Sequence, residues 1–322
     1  MTLHKRFWLL ESLTPAYFAP VMGVAGLGIS WRISSSLLGT PPIVGESLVL
    51  LSFVIFFVVS ILMIVKTVLN PASVKAEFLD DAKLVFLPLI PTSGLLLSIG
   101  ARPYSIDLAT VLWMLSAPFN IYFAAVITGR WLFNSQSKLN ITPAWLFPIV
   151  GNGVVPIAGV PLGFIEISWM FFSVGIVLWI VVFAALFQRL VFEEFVPKKL
   201  APSLLILLSP PATFFIAGFE LNEGKIDALS YALIYTSLFL FCVFMINWRR
   251  LVLVPASITL WSLTFPLAAL TIANLLFYEA FGQLWQWWVA SLLLGLTTLS
   301  VSYVFIATAT ELFRYAGNRP TS

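Results

Sequence analysis

The chain has 322 residues, 60% of them hydrophobic and 10% charged, with a formal net charge of +3. Soluble domains carry roughly 45–50% apolar and about 25% charged residues, so this composition cannot cover a water-facing surface and excludes soluble enzymes, nucleic-acid binders and secreted disulfide scaffolds. A single cysteine, Cys242, and a single histidine, His4, leave no basis for an intrachain disulfide or a histidine-rich metal site, and no cofactor or metal is expected.

Apolar runs bounded by charges, Gly/Pro and Asn/Ser clusters predict ten membrane-spanning helices. Lys5 and Arg6 precede the first, 17–38, but Glu11 and Pro15 interrupt the run and no small-residue cleavage site follows, so this helix is expected to be retained. It carries Pro20 and the glycines Gly23, Gly26 and Gly28. The second, 47–69, is unbroken, and its near-continuous apolar stretch is unlike the alternation of an outer-membrane barrel strand. A linker with the acidic pair Asp80 and Asp81 leads to the third, 84–100, which holds Pro88, Pro91, Thr92, Ser93 and Gly94. The fourth, 107–131, contains Pro118; the fifth, 144–162, contains Pro148, Gly151, Asn152, Gly153, Pro156 and Pro161. The sixth, 166–187, is unbroken, the seventh, 203–221, carries Pro210, Pro211 and Thr213, and the eighth, 226–246, is again unbroken. The ninth, 256–278, includes Ser262, Thr264 and Pro266, and the tenth, 287–310, has no proline.

Charge agrees with this count. Ten spans put 14 of the 17 basic residues on the side of the two termini and leave only Arg32, Arg102 and Lys225 on the other, while the 14 acids divide evenly. By the positive-inside rule both termini are cytoplasmic. A positive cytoplasmic vestibule would gather anions, although topology alone also accounts for these residues. Tryptophans at span ends, among them Trp131, Trp145, Trp248, Trp285, Trp287 and Trp288, fit interfacial anchoring.

Proline marks the odd-numbered helices. Pro20, Pro88, Pro148, Pro210 and Pro266 recur at roughly 60-residue intervals, about one helical hairpin, so the chain reads as five hairpin repeats. A proline inside a helix removes a hydrogen bond and bends it, and irregular backbone at membrane depth needs protein or a water-filled cavity around it. The expected fold is therefore all-α, with five broken inner helices in a quasi-five-fold ring around a central pore and five outer helices, of which the second, sixth, eighth and tenth are unbroken and suit contact with lipid; kinks within a packed bundle are the other reading. No ionisable residue falls near the middle of a span, which argues for a neutral path rather than a proton relay or cation site. Candidate lining or kink residues are Pro20, Gly23, Gly26, Pro88, Pro91, Thr92, Ser93, Pro148, Gly151, Asn152, Pro210, Pro211, Ser262, Thr264 and Pro266, with Gly28, Gly94, Gly153 and Thr213 beside them. Half-helix N-termini exposed at the proline breaks would add positive dipole ends. The same small residues equally fit close helix packing.

Particular residues carry a resemblance. Trp261-Ser-Leu-Thr-Phe-Pro-Leu267 is similar to the W-S-x-[ST]-F-[GP] stretch of the tellurite-resistance/dicarboxylate transporter family, which includes bacterial TehA and the slow-type anion channels of plant guard cells. Ala19-Pro-Val-Met-Gly-Val-Ala-Gly26, Val74-Lys-Ala-Glu-Phe78 and Phe147-Pro-Ile-Val-Gly-Asn152 agree in the same order, with weaker agreement at Leu208-Ser-Pro-Pro-Ala212 and Asn222-Glu-Gly224. The chain departs from the family at Leu79-Asp-Asp-Ala-Lys83, where many members have His-Pro-Val-Arg. The resemblance implies a homotrimer in the bilayer of the inner (plasma) membrane, each protomer with its own pore, occluded midway by a phenylalanine that corresponds to Phe265. It implies a channel for small anions such as chloride or nitrate. The alternative is a carrier, with or without proton coupling, for C4-dicarboxylate, sulfite or tellurite-type oxyanions. A membrane-embedded enzyme using Asp80 and Asp81 to hold Mg²⁺ is a third reading, for which no second acidic cluster or nucleophile is present.

Overall fold

The computed structural model describes residues 13–134, 140–193, 197–252 and 257–317; His4, Lys5, Arg6, Glu11, Lys138 and Arg319 lie outside them. It holds ten helices long and apolar enough to cross a membrane: α1 (Pro15–Leu38), α2 (Pro42–Leu69), α3 (Asp81–Ala101), α4 (Ile106–Phe133), α5 (Pro143–Leu162), α6 (Ile165–Phe192), α7 (Leu200–Leu221), α8 (Ala228–Ile246), α9 (Ile258–Phe281) and α10 (Leu284–Glu311). Except for α8, which starts at Ala228 instead of residue 226, the even helices extend beyond the predicted runs: α2 begins at Pro42 instead of residue 47, and α6 continues to Phe192 instead of stopping at 187. Hydropathy locates the apolar run, whereas helical hydrogen bonding continues through polar residues such as Glu46 and Arg189 outside it. Capping sets other ends. Asp227 accepts from Ser230 N–H at 2.8 Å, so α8 starts one residue later, and Gly282, at φ 64°, stops α9 in a left-handed turn.

Burial separates the two classes of helix. In the odd spans 61–94% of the most apolar stretch is buried, against 17–33% in the even spans. The odd helices close a ring in which α1 packs on α3, α3 on α5, α5 on α7, α7 on α9, and α9 on α1. Each even helix packs on the odd helix before it and also touches the next, so it fills the outer groove between two ring members; α10 closes the circuit between α9 and α1. In α2 this produces two faces. Gly45, Val49, Ser52, Val59 and Lys66 are buried, whereas Leu50, Val54, Phe57, Ile61, Ile64 and Val68 are exposed at helical spacing, as expected for contact with lipid.

The prolines sit at one recurrent place. Each inner helix enters through a tight turn and then becomes α-helical: 3₁₀ turns at Pro15–Phe18, Pro143–Leu146, Lys198–Leu208 and Ile258–Leu263 precede α segments at Ala19, Phe147, Ser209 and Thr264. Before the segment at Leu89, successive i→i+3 hydrogen bonds from Phe86, Leu87 and Leu89 serve the same purpose. Pro20, Pro91, Pro148, Pro210, Pro211 and Pro266 fall within the first three residues of these segments, and Pro88 immediately precedes one. The residues at the junctions, Phe18, Pro88, Leu146, Leu208 and Leu263, all have right-handed helical angles, so winding passes from 3₁₀ to α without a gap. The expectation of exposed half-helix N-termini is therefore corrected: the 3₁₀ turn supplies the i→i+3 bonds that a proline-bearing first turn cannot make as i→i+4 bonds.

Candidate functional site

Two cavities lie inside the ring, one toward the side where the odd helices begin, here the proximal side, and one toward the opposite, distal side. The proximal cavity, about 270 Å³, is bordered by residues at or near the start of every inner α segment, among them Ala19, Leu89, Phe147, Ser209 and Pro266. Among the described residues no charged side chain lines it; its polar groups are the hydroxyls of Thr142, Ser203, Ser209, Thr259 and Ser262 and the indole of Trp261. The distal cavity, about 240 Å³, is walled by aliphatic residues and Thr213, with Arg32, Arg102, Glu220 and Glu279 at its margin. Among the described residues Phe265 is the one common to both walls.

Local chemistry sets the position of that ring. Phe265 is the second residue of the α segment of α9, directly before Pro266, and is 8% exposed. Ser262 and Thr264 donate their hydroxyls to the carbonyls of Thr259 and Trp261 at 2.6 and 2.7 Å, satisfying main-chain acceptors around the proline. Glycines bring α1 against this stretch. A methyl placed on Gly26 would stand 2.8 Å from Ala268 Cβ and 3.6 Å from the Phe265 ring, and one on Gly23 would overlap the Thr264 side chain.

Of the sequence candidates, Phe265, Ser262 and Pro266 border the proximal cavity, and Phe265 and Thr213 the distal one. Pro20, Gly23, Gly26, Pro88, Pro91, Thr92, Ser93, Pro148, Gly151, Asn152, Pro210, Pro211 and Thr264 border neither cavity. The small and polar residues among them, and the glycines beside them, form close contacts between helices instead. Gly94 faces Ser116 and Gly28 faces Val49, each on the outer partner of its hairpin, Gly151 faces Asn120 on the outer helix of the preceding hairpin, and Gly153 faces Thr213 and Phe214 of the neighbouring inner helix. Thr92 donates to Pro88 O at 2.7 Å and accepts from Asn120 at 3.3 Å; Ser93 reaches Phe18 O at 3.4 Å. Asn152 is fully buried behind the axis, with its Cβ against the position a Gly175 methyl would take, and neither of its amide atoms has a partner. Small and polar residues in this chain thus mark where helices approach, and aliphatic side chains make most of the cavity walls.

Ionic contacts that sequence patterns did not suggest tie the two rims. On the distal side Arg32 forms a two-pronged pair with Glu46, at 3.0 and 2.7 Å, and donates to Gly100 O at 3.0 Å, joining α1, α2 and α3. The Tyr104 phenol donates to the same Glu46 carboxylate, which pushes the phenol above its ordinary pKa because ionisation would set two anions together. On the proximal side Lys66, 1% exposed, donates to Glu77 and, at 2.6 Å, to Leu13 O. Glu77 belongs to a short helix, Pro71–Leu79, between α2 and α3. The acidic pair has structural partners: Asp80 accepts from Ala82 N–H at 2.9 Å, and Asp81 accepts from Arg130 at 2.7 Å.

The sequence matches the SLAC1 family, described as voltage-dependent anion channel, over residues 12–309. It is 27% identical to the S-type anion channel SLAH2 of Arabidopsis thaliana over 91% of this chain and 58% of that protein. It is 24% identical to the guard cell S-type anion channel SLAC1 of the same plant, over 92% of this chain and 55% of that protein. A tellurite resistance protein TehA homolog of Haemophilus influenzae is 22% identical, over 83% of this chain and 82% of that protein. The chain spans about half the length of the plant relatives it matches.

Proposed function

The chain belongs to the SLAC1 family of voltage-dependent anion channels, and from that premise we propose that this multi-pass membrane protein passes small anions such as chloride or nitrate along the axis of its inner ring, with Phe265 as the gate. One observation carries the reading: among the described residues, the only one that borders both cavities is an aromatic ring. An apolar ring across a narrow neck blocks ions by excluding water, and its rotation joins the two cavities. The uncharged proximal wall suits an anion held loosely enough to leave. Family likeness and the excess of basic residues beside the termini support a trimer in the plasma membrane with both termini cytoplasmic.

The second reading, a carrier of dicarboxylate, sulfite or tellurite-type oxyanions, draws on the likeness to the TehA homolog. Carriage coupled to protons calls for a titratable group on the path, and the charged groups of the cavity walls all lie at the distal margin. Planar-bilayer recording decides between the readings. Phe265→Ala raises chloride current over the parent by at least about ten-fold, the expected effect of removing a dewetted plug. Unchanged or cation-selective current in the variant overturns the gate, and flux that saturates and follows an imposed pH gradient favours the carrier.

A further inference from the structure

Two hydroxyls on α7 stand apart from the other hydroxyls of the inner ring. Ser209 borders the proximal cavity and Thr213 the distal one, on either side of Phe265. Both are 1% exposed. They lie four residues apart on one α segment, hence on one face and about 6 Å apart along its axis. Buried Ser and Thr in helices ordinarily donate to a carbonyl one turn back, and Ser30, Thr92, Thr264 and Thr271 of this ring do so, to Gly26, Pro88, Trp261 and Leu267. Thr213 Oγ1 is buried with no partner, and Ser209, whose side chain lines the proximal cavity, takes part in none of the side-chain hydrogen bonds among the described residues. A donor left unmade in a buried position is costly unless something occupies it. Here both unmade donors border the path where the Phe265 ring divides it.

We propose that Ser209 and Thr213 are paired anion-coordinating sites flanking the gate, each donating its hydroxyl proton to a small monovalent anion that has shed part of its water. The proposal rests on the channel reading and extends it from the plug to the groups that receive the ion. Neutral donors suit such a position: they replace part of a hydration shell without the fixed positive charge that would trap the anion. The other hydroxyls of the proximal cavity fit less well: Ser203 and Ser262 donate to Leu200 O and Thr259 O at 2.6 Å, and Thr142 and Thr259 are only half-buried. The 6 Å step along one helix lets the ion be handed from one hydroxyl to the other when the ring swings aside.

The test uses the full chain in planar bilayers, with Phe265→Ala as the conducting parent and chloride and nitrate as probes. Adding Ser209→Ala or Thr213→Val, the latter nearly isosteric, lowers unitary chloride conductance by about five-fold each, the factor carried by one neutral hydrogen bond. The chloride-to-nitrate permeability ratio shifts with it. Thr213→Ser and Ser209→Thr keep the donor and retain at least half of the parent conductance, which separates loss of the hydroxyl from damage to folding. A conducting parent whose conductance and permeability ratio stay within two-fold in both deletion variants overturns this proposal alone. A parent that passes no anion overturns the proposal and the channel reading together.

Discussion

Replacing Lys66 by methionine keeps most of the side-chain volume and removes the ammonium that joins three segments: Leu13 ahead of α1, the end of α2, and Glu77 on the short helix leading to α3. Lys66 is 1% and Glu77 5% exposed, so the carboxylate left behind is buried without its partner. Breaking a buried pair in this way costs about 3–5 kcal/mol, whereas replacing both members with apolar residues of similar volume is often neutral or stabilising. Lys66→Met is therefore expected to destabilise by about that amount. Glu77→Leu also destabilises, because it strands the ammonium with only the Leu13 carbonyl. The double variant should be more stable than either single variant, which requires a coupling larger than either single loss. Equilibrium unfolding in mixed micelles, followed by the fluorescence of the 12 tryptophans, reads all four corners of the cycle. Single variants within about 0.5 kcal/mol of the parent, or strictly additive effects, would refute the argument and return the pair to the class of solvent-screened surface bridges.

Two further predictions concern packing and capping. Gly26→Ala sets a methyl 2.8 Å from Ala268 Cβ and beside the Phe265 ring, so it forces α1 from α9 and lowers stability by about 1–3 kcal/mol; an unchanged unfolding midpoint contradicts the close approach. Asp227→Ala removes the cap of α8 and costs about 1 kcal/mol. Because Ser230 donates both its N–H and its hydroxyl to Asp227, the carboxyl is held below its ordinary range. This contribution is complete above the unfolded carboxylate pKa and is lost as pH falls through the lowered native one. The stability difference between Asp227→Ala and the parent should accordingly vanish in acid, as thermal melts from neutral to acidic pH will show.

Hydropathy, proline and charge made the ten helices legible, together with their division into odd and even. A helix that faces lipid on one side must be apolar there, and irregular backbone at membrane depth must be shielded; α4 is the exception to the proline rule, an outer helix that carries Pro118 exposed within its continuous run. α2 and α9 illustrate the two cases, at 17% and 94% buried. The recurrence of Pro20, Pro88, Pro148, Pro210 and Pro266 likewise announced a fivefold plan, because each marks the same transition in winding. Motif likeness singled out Phe265 among 29 phenylalanines, a choice that composition and periodicity had no means of making.

Tertiary structure alone decided which side chains face the axis. On a helix buried on every face, apolar periodicity is nearly lost, so glycine and serine at a packing seam look the same as glycine and serine at a cavity wall. Gly151, set against Asn120, and Ser209, set against the proximal cavity, are indistinguishable as sequence. The Lys66–Glu77 pair is hidden for a related reason: a lysine at the end of an apolar run reads as a topological marker until the fold shows its ammonium enclosed. Sequence therefore determined what the bilayer requires of each helix, since lipid tests every segment separately. The fold determined what borders the cavities, since each lies inside the ring, is walled by the inner helices together and belongs to none of them individually.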